Sequence, residues 1–263
     1  ATLRATAAGS TRSVGCAILL SGRHVLNTTL ELSAADSGVQ FVADTGAAVS
    51  VSGGTAVVGW QATALANGTA VWSARIEPGL KSRHLFVNGR RAQRTRVWFD
   101  QSAQVNVSDT GLMIDDDSLR DWQTAAQSIE LVFTGGCKGH AAHCAPGESN
   151  YREARCSVVS VAPLGSSTIF NVSIAQPCWS NARYSGCSVP SYVENVYDLT
   201  VQPTAEPVAP GSFFHDSAAG IVRYAPRLGE TSPSSVDAVL PLVEVLVHGA
   251  DVSAVSFSDL TFE

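Results

Sequence analysis

Short apolar runs separated by turn residues constrain the fold of this chain more than any other feature. From residue 14 onwards the sequence reads CAILL, HVLNTTLEL, VQFVA, AAVSVSG and TAVVGW, with polar residues or glycine between the runs. Runs of this length that are rich in Val, Thr, Ile and Phe are typical of β-strands. A strand in roughly every ten residues suits a sandwich, a barrel or a parallel β-helix. The sequence therefore predicts an all-β fold.

The strand pattern changes along the chain and divides it into segments. The middle contains longer strand-like stretches and five of the six cysteines, whereas the final LVEVLVHGADVSAVSFSDLTFE returns to short alternating runs. Because an open strand edge at the end of a solenoid requires a cap, we expect further chain after Glu263. The predicted segments are coil-like strands in 1–60, a β-rich inserted domain in 61–200, a return hairpin and linker in 201–235, and resumed coils in 236–263.

The charge pattern argues against a nucleic-acid partner, and the length of the apolar runs argues against a membrane-spanning segment. Charged residues make up 15% of the 263 residues, the net charge is −6, and acidic and basic residues are dispersed. This pattern disfavours nucleic acid as a partner. The apolar runs stay below the roughly 18 to 20 residues that a membrane span requires.

Sequons and cysteines indicate the compartment. The chain contains six cysteines, an even number, and four N-x-S/T sequons, which begin at Asn27, Asn67, Asn106 and Asn171. Glycosylation and disulfides both belong to the secretory pathway. The sequence therefore predicts a secreted or cell-surface glycoprotein with disulfide bonds.

One cysteine pair has a geometric argument. Cys156 and Cys178 lie nearly symmetrically about a turn at residues 165 to 167. An antiparallel hairpin would bring them opposite each other, so we predict this disulfide first. The second predicted pair is Cys137 and Cys144, which close a short loop.

Two stretches are compatible with metal binding. The acidic run at residues 115–117 offers carboxylates for Ca²⁺ but lacks the spacing of a dedicated loop, so capping of a short helix over 115–126 is favoured. His140 and His143 lie between Cys137 and Cys144, yet a small disulfide loop is favoured over zinc in an oxidised protein. The sequence therefore predicts no metal and no other cofactor.

The segment GSFFHDSAAGIVRYAPRLGE contains a neighbouring His215 and Asp216 that invite a catalytic interpretation. An apolar strand precedes the pair, and a polar turn ending in Gly220 leads into a second strand. Asp216 is then expected to accept hydrogen bonds from backbone N–H groups of the turn. We favour a hairpin corner over an acid–base dyad.

Arginines and tryptophans supply the candidates for ligand binding. In RHLFVNGRRAQRTRVW, Asn88 and Gly89 predict a type I′ hairpin. Arg90 and Arg91 after this turn are candidates for binding an acidic sugar or a sulfate. The favoured alternative is that alternate arginines of the return strand face solvent or pair with carboxylates of the insertion. Trp179 is the tryptophan we select as a candidate for stacking on a sugar ring, with core packing as the alternative.

Several motifs occur in an order that resembles a known family. They are LELSAADSG, VSVSGGTAVVGWQ, VWSARIEPGLKSRHLFVNGRRAQRTR, SIELVF, EARCSVVSV, AQPCW, YVENVYDL, GSFFHDSAAGIVRYAPRLGE and VSFSDLTFE. Together they resemble the N-terminal part of secreted right-handed parallel β-helix proteins akin to β-helix glycoside hydrolases of the β-xylosidase and α-fucosidase type. The resemblance implies a β-helix interrupted early by a β-sandwich-like insertion. It also implies that the catalytic carboxylates project from later coils, so no catalytic residue is assigned to this chain.

Two functional hypotheses follow from the resemblance and the composition. The first is the N-terminal part of an extracellular carbohydrate-binding or glycoside-hydrolase-like β-helix protein, with a glycan as its partner. The second is a non-catalytic structural or adhesion glycoprotein that contacts other extracellular chains, because fold does not fix function. Either protein would also contact the remainder of its own polypeptide.

Overall fold

The structure is a computed structural model that describes residues 16–64, 70–99, 103–123, 126–134, 153–165, 168–184, 189–196 and 208–263. It is mostly β, as the sequence predicts. The strands in chain order begin with β1 (Cys16–Leu20), β2 (Gly22–Val25), β3 (Leu30–Leu32), β4 (Val39–Ala43), β5 (Val49–Ser52), β6 (Gly54–Ala56), β7 (Gln61–Ala64), β8 (Ala70–Arg75), β9 (Phe86–Val87), β10 (Arg90–Arg91), β11 (Gln93–Arg94) and β12 (Arg96–Trp98). They continue with β13 (Val105–Val107), β14 (Gly111–Asp115), β15 (Glu130–Thr134), β16 (Glu153–Pro163), β17 (Ile169–Ile174), β18 (Tyr192–Glu194), β19 (Ser212–Asp216), β20 (Ile221–Tyr224), β21 (Ala238–Pro241), β22 (Val247–Gly249), β23 (Ser256–Ser258) and β24 (Thr261–Phe262).

Helical segments in the described part of the chain are short. The predicted helix over 115–126 is a 3₁₀ helix at Asp117–Gln123, and the Asp116 side chain caps it by accepting a hydrogen bond from the N–H of Ser118 at 2.9 Å. The α-helix α1 (Cys178–Tyr184) was not predicted. Three further 3₁₀ turns lie at Ala34–Asp36, Ala126–Ser128 and Pro233–Ser235.

Two compact units divide the chain. One consists of Ala1–Ala56 together with Val239–Glu263, and the other of Val57–Ala238. The second unit is therefore inserted in the sequence of the first. Each is described separately below.

The first unit contains rows of parallel strands. One row is β1–β4–β23, a second is β2–β5–β24, and a third pairs β3 with β22. The first two rows take one strand from each of three passes of the chain, and the third joins strands of two passes. Strand β6 pairs antiparallel with β21 in the same unit.

Alternating apolar side chains of these rows form the core of the first unit. Leu20, Leu32, Phe41 and Val49 are buried there. The parallel register places Phe41 opposite Phe257, and their rings stack with centroids 4.8 Å apart. Parallel pairing stacks equivalent positions of consecutive passes, so one apolar residue covers the next.

One sheet of the second unit has five strands in the order β11–β19–β20–β8–β7. It contains the hairpin predicted from FFHDSAAGIVRY, because β19 pairs antiparallel with β20. The N–H of Ala219 donates a hydrogen bond to Asp216 Oδ1 at 2.9 Å, which confirms the predicted role of this aspartate in the turn. The predicted hairpin at Asn88-Gly89 is also present, since β9 pairs antiparallel with β10 and both turn residues have positive φ.

The other large sheet of the second unit has seven antiparallel strands in the order β12–β18–β15–β16–β17–β14–β13. One of its faces contributes fully buried side chains to the main core, among them Leu131, Phe133, Cys156 and Val193. Because removal of apolar surface from water contributes about 25 cal/mol per Å², burial of this face stabilises the unit.

The predicted disulfide between Cys156 and Cys178 is present. The hairpin β16–β17 brings the two segments together, but Cys178 lies in α1, after the last paired residue of β17. The second predicted pair, Cys137 and Cys144, lies outside the described residues, as do His140 and His143. Among the described residues no helix has the length and apolar character that a membrane crossing demands.

Candidate functional site

A cavity of about 550 Å³ in the second unit has an unusually basic wall. This volume falls in the range of small-molecule sites. Arg91, one of the two predicted binding arginines, lines the cavity, whereas the neighbouring Arg90 is exposed and does not. The lining residues are Arg83, His84, Arg91, Ala92, Gln93, Arg94, Arg96, Arg155 and Glu194.

The sheet register builds one wall of this cavity. On β12 and β18, Arg96 lies opposite Glu194 and Trp98 opposite Tyr192. The residues between them, Val97 and Val193, point to the other face, because side chains alternate along a strand. The polar face of the sheet therefore carries a row of charged and aromatic side chains above an apolar core.

The neighbouring strands β15 and β16 extend this polar face. Glu130 of β15 is the register partner of Glu194, and Arg155 of β16 lies opposite Val132. Two carboxylates side by side on adjacent strands repel each other unless cations lie between them. That requirement explains the arginines that surround them.

Glu194 is the most heavily bonded carboxylate of the site. It accepts a hydrogen bond from Arg83 at 3.2 Å, forms an ion pair with Arg155, and lies 3.9 Å from Arg94. Its side chain is only 10% exposed, so the three guanidinium groups replace most of its water. Burial acts to lower the pKa of Arg155, but the hydrogen bond and the charge of Glu194 outweigh it, and the pKa of that guanidinium is raised.

Glu130 forms the second group of ion pairs. It accepts hydrogen bonds from Arg83 at 3.0 Å and from Arg94 at 2.5 Å. Arg83 therefore joins the two carboxylates, while Arg94 bonds Glu130 and lies near Glu194. Of the arginines on the return strands after the Asn88-Gly89 turn, Arg94 pairs with a carboxylate as expected.

Two cavity arginines differ from this pattern. Arg91 Nη2 lies 2.7 Å from His84 Nδ1, and Arg96 lies over the rings of Trp98 and Tyr192 at 5.7 and 5.5 Å. In the part of the chain that the structure describes, neither arginine forms an ion pair with a carboxylate. The described residues therefore offer no carboxylate partner to either positive charge.

His84 is a neutral acceptor in this arrangement. Its Nδ1 accepts the hydrogen bond that Arg91 donates, so its proton resides on Nε2. Burial lowers the pKa of His84, and the charges of Arg91, Arg83 and Arg94 lower it further. At neutral pH the histidine therefore adds no charge to the site.

Trp98 lies at the edge of this site and presents its ring to solvent. It is 58% exposed, and the edge of Tyr192 packs against it with ring centroids 5.6 Å apart at 77°. Tyr192 is itself held by Arg155, whose Nη2 donates to its hydroxyl at 3.2 Å. The cavity and the exposed indole are thus connected through Arg96 and Tyr192.

The structure corrects the interpretation of Trp179. Its side chain has no exposed surface, its Nε1–H donates to the carbonyl of Ser108 at 3.0 Å, and its ring packs on Phe133. A fully buried indole offers no face to a sugar. Trp179 directly follows the disulfide-bonded Cys178 in the short helix α1, and this position directs its side chain into the core.

His215 and Asp216 serve the fold of the hairpin. The backbone N–H of His215 donates to Asn195 Oδ1 at 2.9 Å, and its Nδ1 lies 3.4 Å from the carbonyl of Ser82. Burial lowers the pKa of His215, although the bond to Ser82 opposes this shift. These contacts tie β19 to its neighbours, and the pair forms no dyad at the cavity.

None of the remaining predicted positions that the structure describes lines the cavity. Asn27 and Asn106 are exposed, Asn171 is half-buried on β17, and Asn67 lies outside the described residues. In the acidic run, Asp115 accepts a bond from Thr168 and Asp117 pairs with Arg120. Among the described residues no cluster of three or more His, Cys, Asp or Glu side chains is arranged to hold a metal ion.

Sequence reasoning missed Arg155, Glu130, Tyr192 and Glu194 as parts of the site. Tyr192 and Glu194 flank the buried Val193 in the segment YVENV, and this short alternation is the one local signal of a polar sheet face. Their proximity to Arg96 depends on strand order, which the local sequence does not encode.

The fold can be compared with proteins of known structure. Neither a protein-family model nor a curated protein sequence matches this chain. A solved structure described as "Glycoside hydrolase" is similar to 95% of the chain with a TM-score of 0.63 and 21% sequence identity. The match covers 43% of that structure, so the chain spans less than half of its length. At this identity the comparison establishes a common fold.

Proposed function

We propose that this chain is the glycan-binding part of a secreted, glycoside-hydrolase-like protein. In this proposal the parallel rows of the first unit are the opening coils of a right-handed β-helix, and the second unit is the insertion that contacts the glycan. The parallel pairing of strands from three passes of the chain supports the first part. The similarity in fold to a glycoside hydrolase structure, over 95% of the chain, supports the second part.

The cavity of the second unit is the observation that carries the proposal. Glycans present many hydroxyl groups and a ring with an apolar face, so their sites combine dense hydrogen-bond donors with exposed aromatic rings. The cavity supplies guanidinium donors, and Trp98 supplies an exposed ring beside it. The arrangement is suited to binding a glycan.

Binding rather than hydrolysis is proposed for this part of the protein. Hydrolysis requires one carboxyl group that donates a proton and another that acts as a base or nucleophile. Glu130 and Glu194 are both bonded to arginines, so neither carboxylate is free to face a glycosidic bond. Catalytic carboxylates are expected in the coils that the family resemblance places after this chain.

Affinity electrophoresis of the full chain through gels that contain soluble polysaccharides tests this proposal. We expect at least one neutral, uronic or sulfated polysaccharide to retard the protein. The double variant R91Q/R96Q should lose the retardation, whereas R90Q should keep it, because Arg90 lies outside the cavity. Unchanged mobility of the wild-type chain in every gel would contradict the proposal.

A further inference from the structure

The charge balance of the cavity is uneven. Five guanidinium groups, from Arg83, Arg91, Arg94, Arg96 and Arg155, surround the carboxylates of Glu130, Glu194 and the adjacent Glu153. Among the described residues, these five positive charges less the three negative charges leave an excess of two. The ion pairs assign Arg83, Arg94 and Arg155 to the carboxylates. The excess therefore belongs to Arg91 and Arg96.

Both of these arginines are held in place without a compensating anion among the described residues. Arg91 is fixed by its hydrogen bond to His84, and its backbone carbonyl accepts a bond from Arg227 at 3.0 Å. Arg96 is fixed by two aromatic rings. A planar guanidinium that is already positioned binds carboxylate or sulfate oxygens in a bidentate fashion with little further loss of conformational freedom.

Trp98 gives the ligand a second point of contact. The guanidinium carbon of Arg96 lies 5.7 Å from the centroid of its indole ring, so one sugar residue can reach both groups. The other four tryptophans are at most 8% exposed. Keeping one large aromatic ring in solvent loses the stabilisation that its burial would contribute, unless a ligand covers it.

From these observations we infer that the cavity and Trp98 form a subsite for an acidic sugar. The sugar ring stacks on the indole, and its carboxylate or sulfate group binds Arg96 and Arg91. This inference rests on the proposed glycan-binding function and specifies its ligand class. A carboxylate and a sulfate both accept hydrogen bonds from guanidinium groups. The ligand class that the cavity fits is therefore an anionic polysaccharide.

Isothermal titration calorimetry with the full chain tests the inference. The ligands are an oligogalacturonate, a sulfated galactan oligosaccharide and a neutral xylo-oligosaccharide of matched length. We expect one of the two acidic ligands to bind at least about tenfold more tightly than the neutral one, with an affinity that falls as salt is raised. Comparison of the two acidic ligands shows whether the arginines prefer a carboxylate or a sulfate group.

Matched variants locate the site. R96Q and W98A should each weaken the tighter acidic ligand by about tenfold or more, and R90Q should change it by less than about twofold. W98Y keeps an exposed aromatic ring and should retain most of the affinity, which also controls for loss of folding in W98A. Circular dichroism of every variant confirms the folded state.

The outcomes separate this inference from the proposed function. Equal affinity for the neutral and acidic ligands would overturn the acidic-sugar inference and leave glycan binding intact. An equal effect of R90Q and R96Q would show attraction by overall charge and would also overturn it. Failure of all three ligands to bind would overturn it as well, and the polysaccharide gels would then decide the proposed function separately.

Discussion

Glu194 organises the charges of the cavity through contacts with three arginines. Its side chain and that of Arg94 are both nearly buried, whereas Arg83 and Arg155 reach solvent. Removal of one partner from a buried ion pair leaves the other charge without compensation, and this costs more than the pair itself contributes. The wall of the cavity therefore depends on this carboxylate.

We predict that E194Q lowers the free energy of unfolding by about 2 kcal/mol, a figure below the usual range for buried pairs because two partners are partly solvated. E153Q is the matched control, because Glu153 is 43% exposed and pairs with Arg155. Its effect should stay within about 0.5 kcal/mol. Urea denaturation measures both, and equal losses would contradict the role given to Glu194.

His84 should couple ligand binding to pH. It faces the cations Arg91, Arg83 and Arg94, and burial together with these charges lowers its pKa. Protonated His84 can no longer accept the hydrogen bond from Arg91, but an anion bound there accepts from both cations; it therefore raises the pKa of His84, and binding takes up a proton. The affinity for a sulfated oligosaccharide should therefore rise by about threefold to tenfold between pH 7.5 and pH 5.

The control for this pH effect is H84Q, whose side chain does not titrate. Calorimetry at the two pH values should find an affinity for the sulfated ligand that changes much less in H84Q than in the wild type. The same pH dependence in both proteins would show that another group takes up the proton.

At the scale of elements, Gly220 links the hairpin β19–β20 to the end of β8. Its φ is +64°, and a Cβ atom would lie 2.5 Å from the carbonyl oxygen of Ile76. The backbone N–H of Ile76 donates to the carbonyl of Gly220 at 2.9 Å. The close approach of two backbones leaves no room for a side chain.

We predict that G220A destabilises the second unit by at least about 2 kcal/mol, from the left-handed conformation and the steric contact together. G165A is a matched control, because Gly165 has a φ of +67° but no described heavy atom lies within 4 Å of the position that a Cβ would occupy. Its cost should be about 1 kcal/mol. Chemical denaturation followed by circular dichroism compares them, and equal costs would contradict the steric argument.

Local features of the elements were predictable from the sequence. The hairpins at Asn88-Gly89 and at residues 216 to 220 follow from turn chemistry, and the Cys156–Cys178 disulfide follows from the spacing around a turn. Helix α1 was missed because seven residues carry too little periodicity to distinguish a helix from a loop. Local patterns therefore identified the turns better than the short helix.

The candidate site was only partly predictable. The basic stretch contains Arg91, a predicted binding candidate that lines the cavity, but Glu194 and Arg155 join Arg96 only through the order β12–β18–β15–β16. Long-range pairing of this kind depends on packing of the whole sheet. The local sequence also misleads about the tryptophans: Trp98 lies between Val97 and Phe99 yet is exposed, whereas Trp179 lies between Cys178 and Ser180 yet is in the core.

At the scale of the whole molecule, the chain combines parallel rows in one unit with large, mainly antiparallel sheets in the other. The proposed secretion implies that sequons are used where the folded surface admits a glycan. Asn106 is exposed on β13, whereas Asn171 lies half-buried on β17, which pairs with a strand on each side. The two sequons have the same residues, so they form a matched pair.

We predict that secretion from a eukaryotic host gives higher glycan occupancy at Asn106 and at the exposed Asn27 than at Asn171. A bulky glycan requires a solvated position, and half-burial restricts access. Glycopeptide mass spectrometry measures occupancy at each site. Full occupancy of Asn171 with an unmodified Asn106 would contradict the prediction.

Tryptophan fluorescence during titration with an acidic oligosaccharide is the decisive measurement for the proposed sugar subsite. Because Trp98 is 58% exposed and the other four tryptophans at most 8%, a ligand that covers its ring should shift the long-wavelength part of the emission to the blue. We expect a saturable shift with the acidic ligand that is lost in W98F and is absent with a neutral oligosaccharide at the same concentration. Binding of the acidic ligand without a shift, or with the same shift in W98F, would show that the sugar does not stack on Trp98.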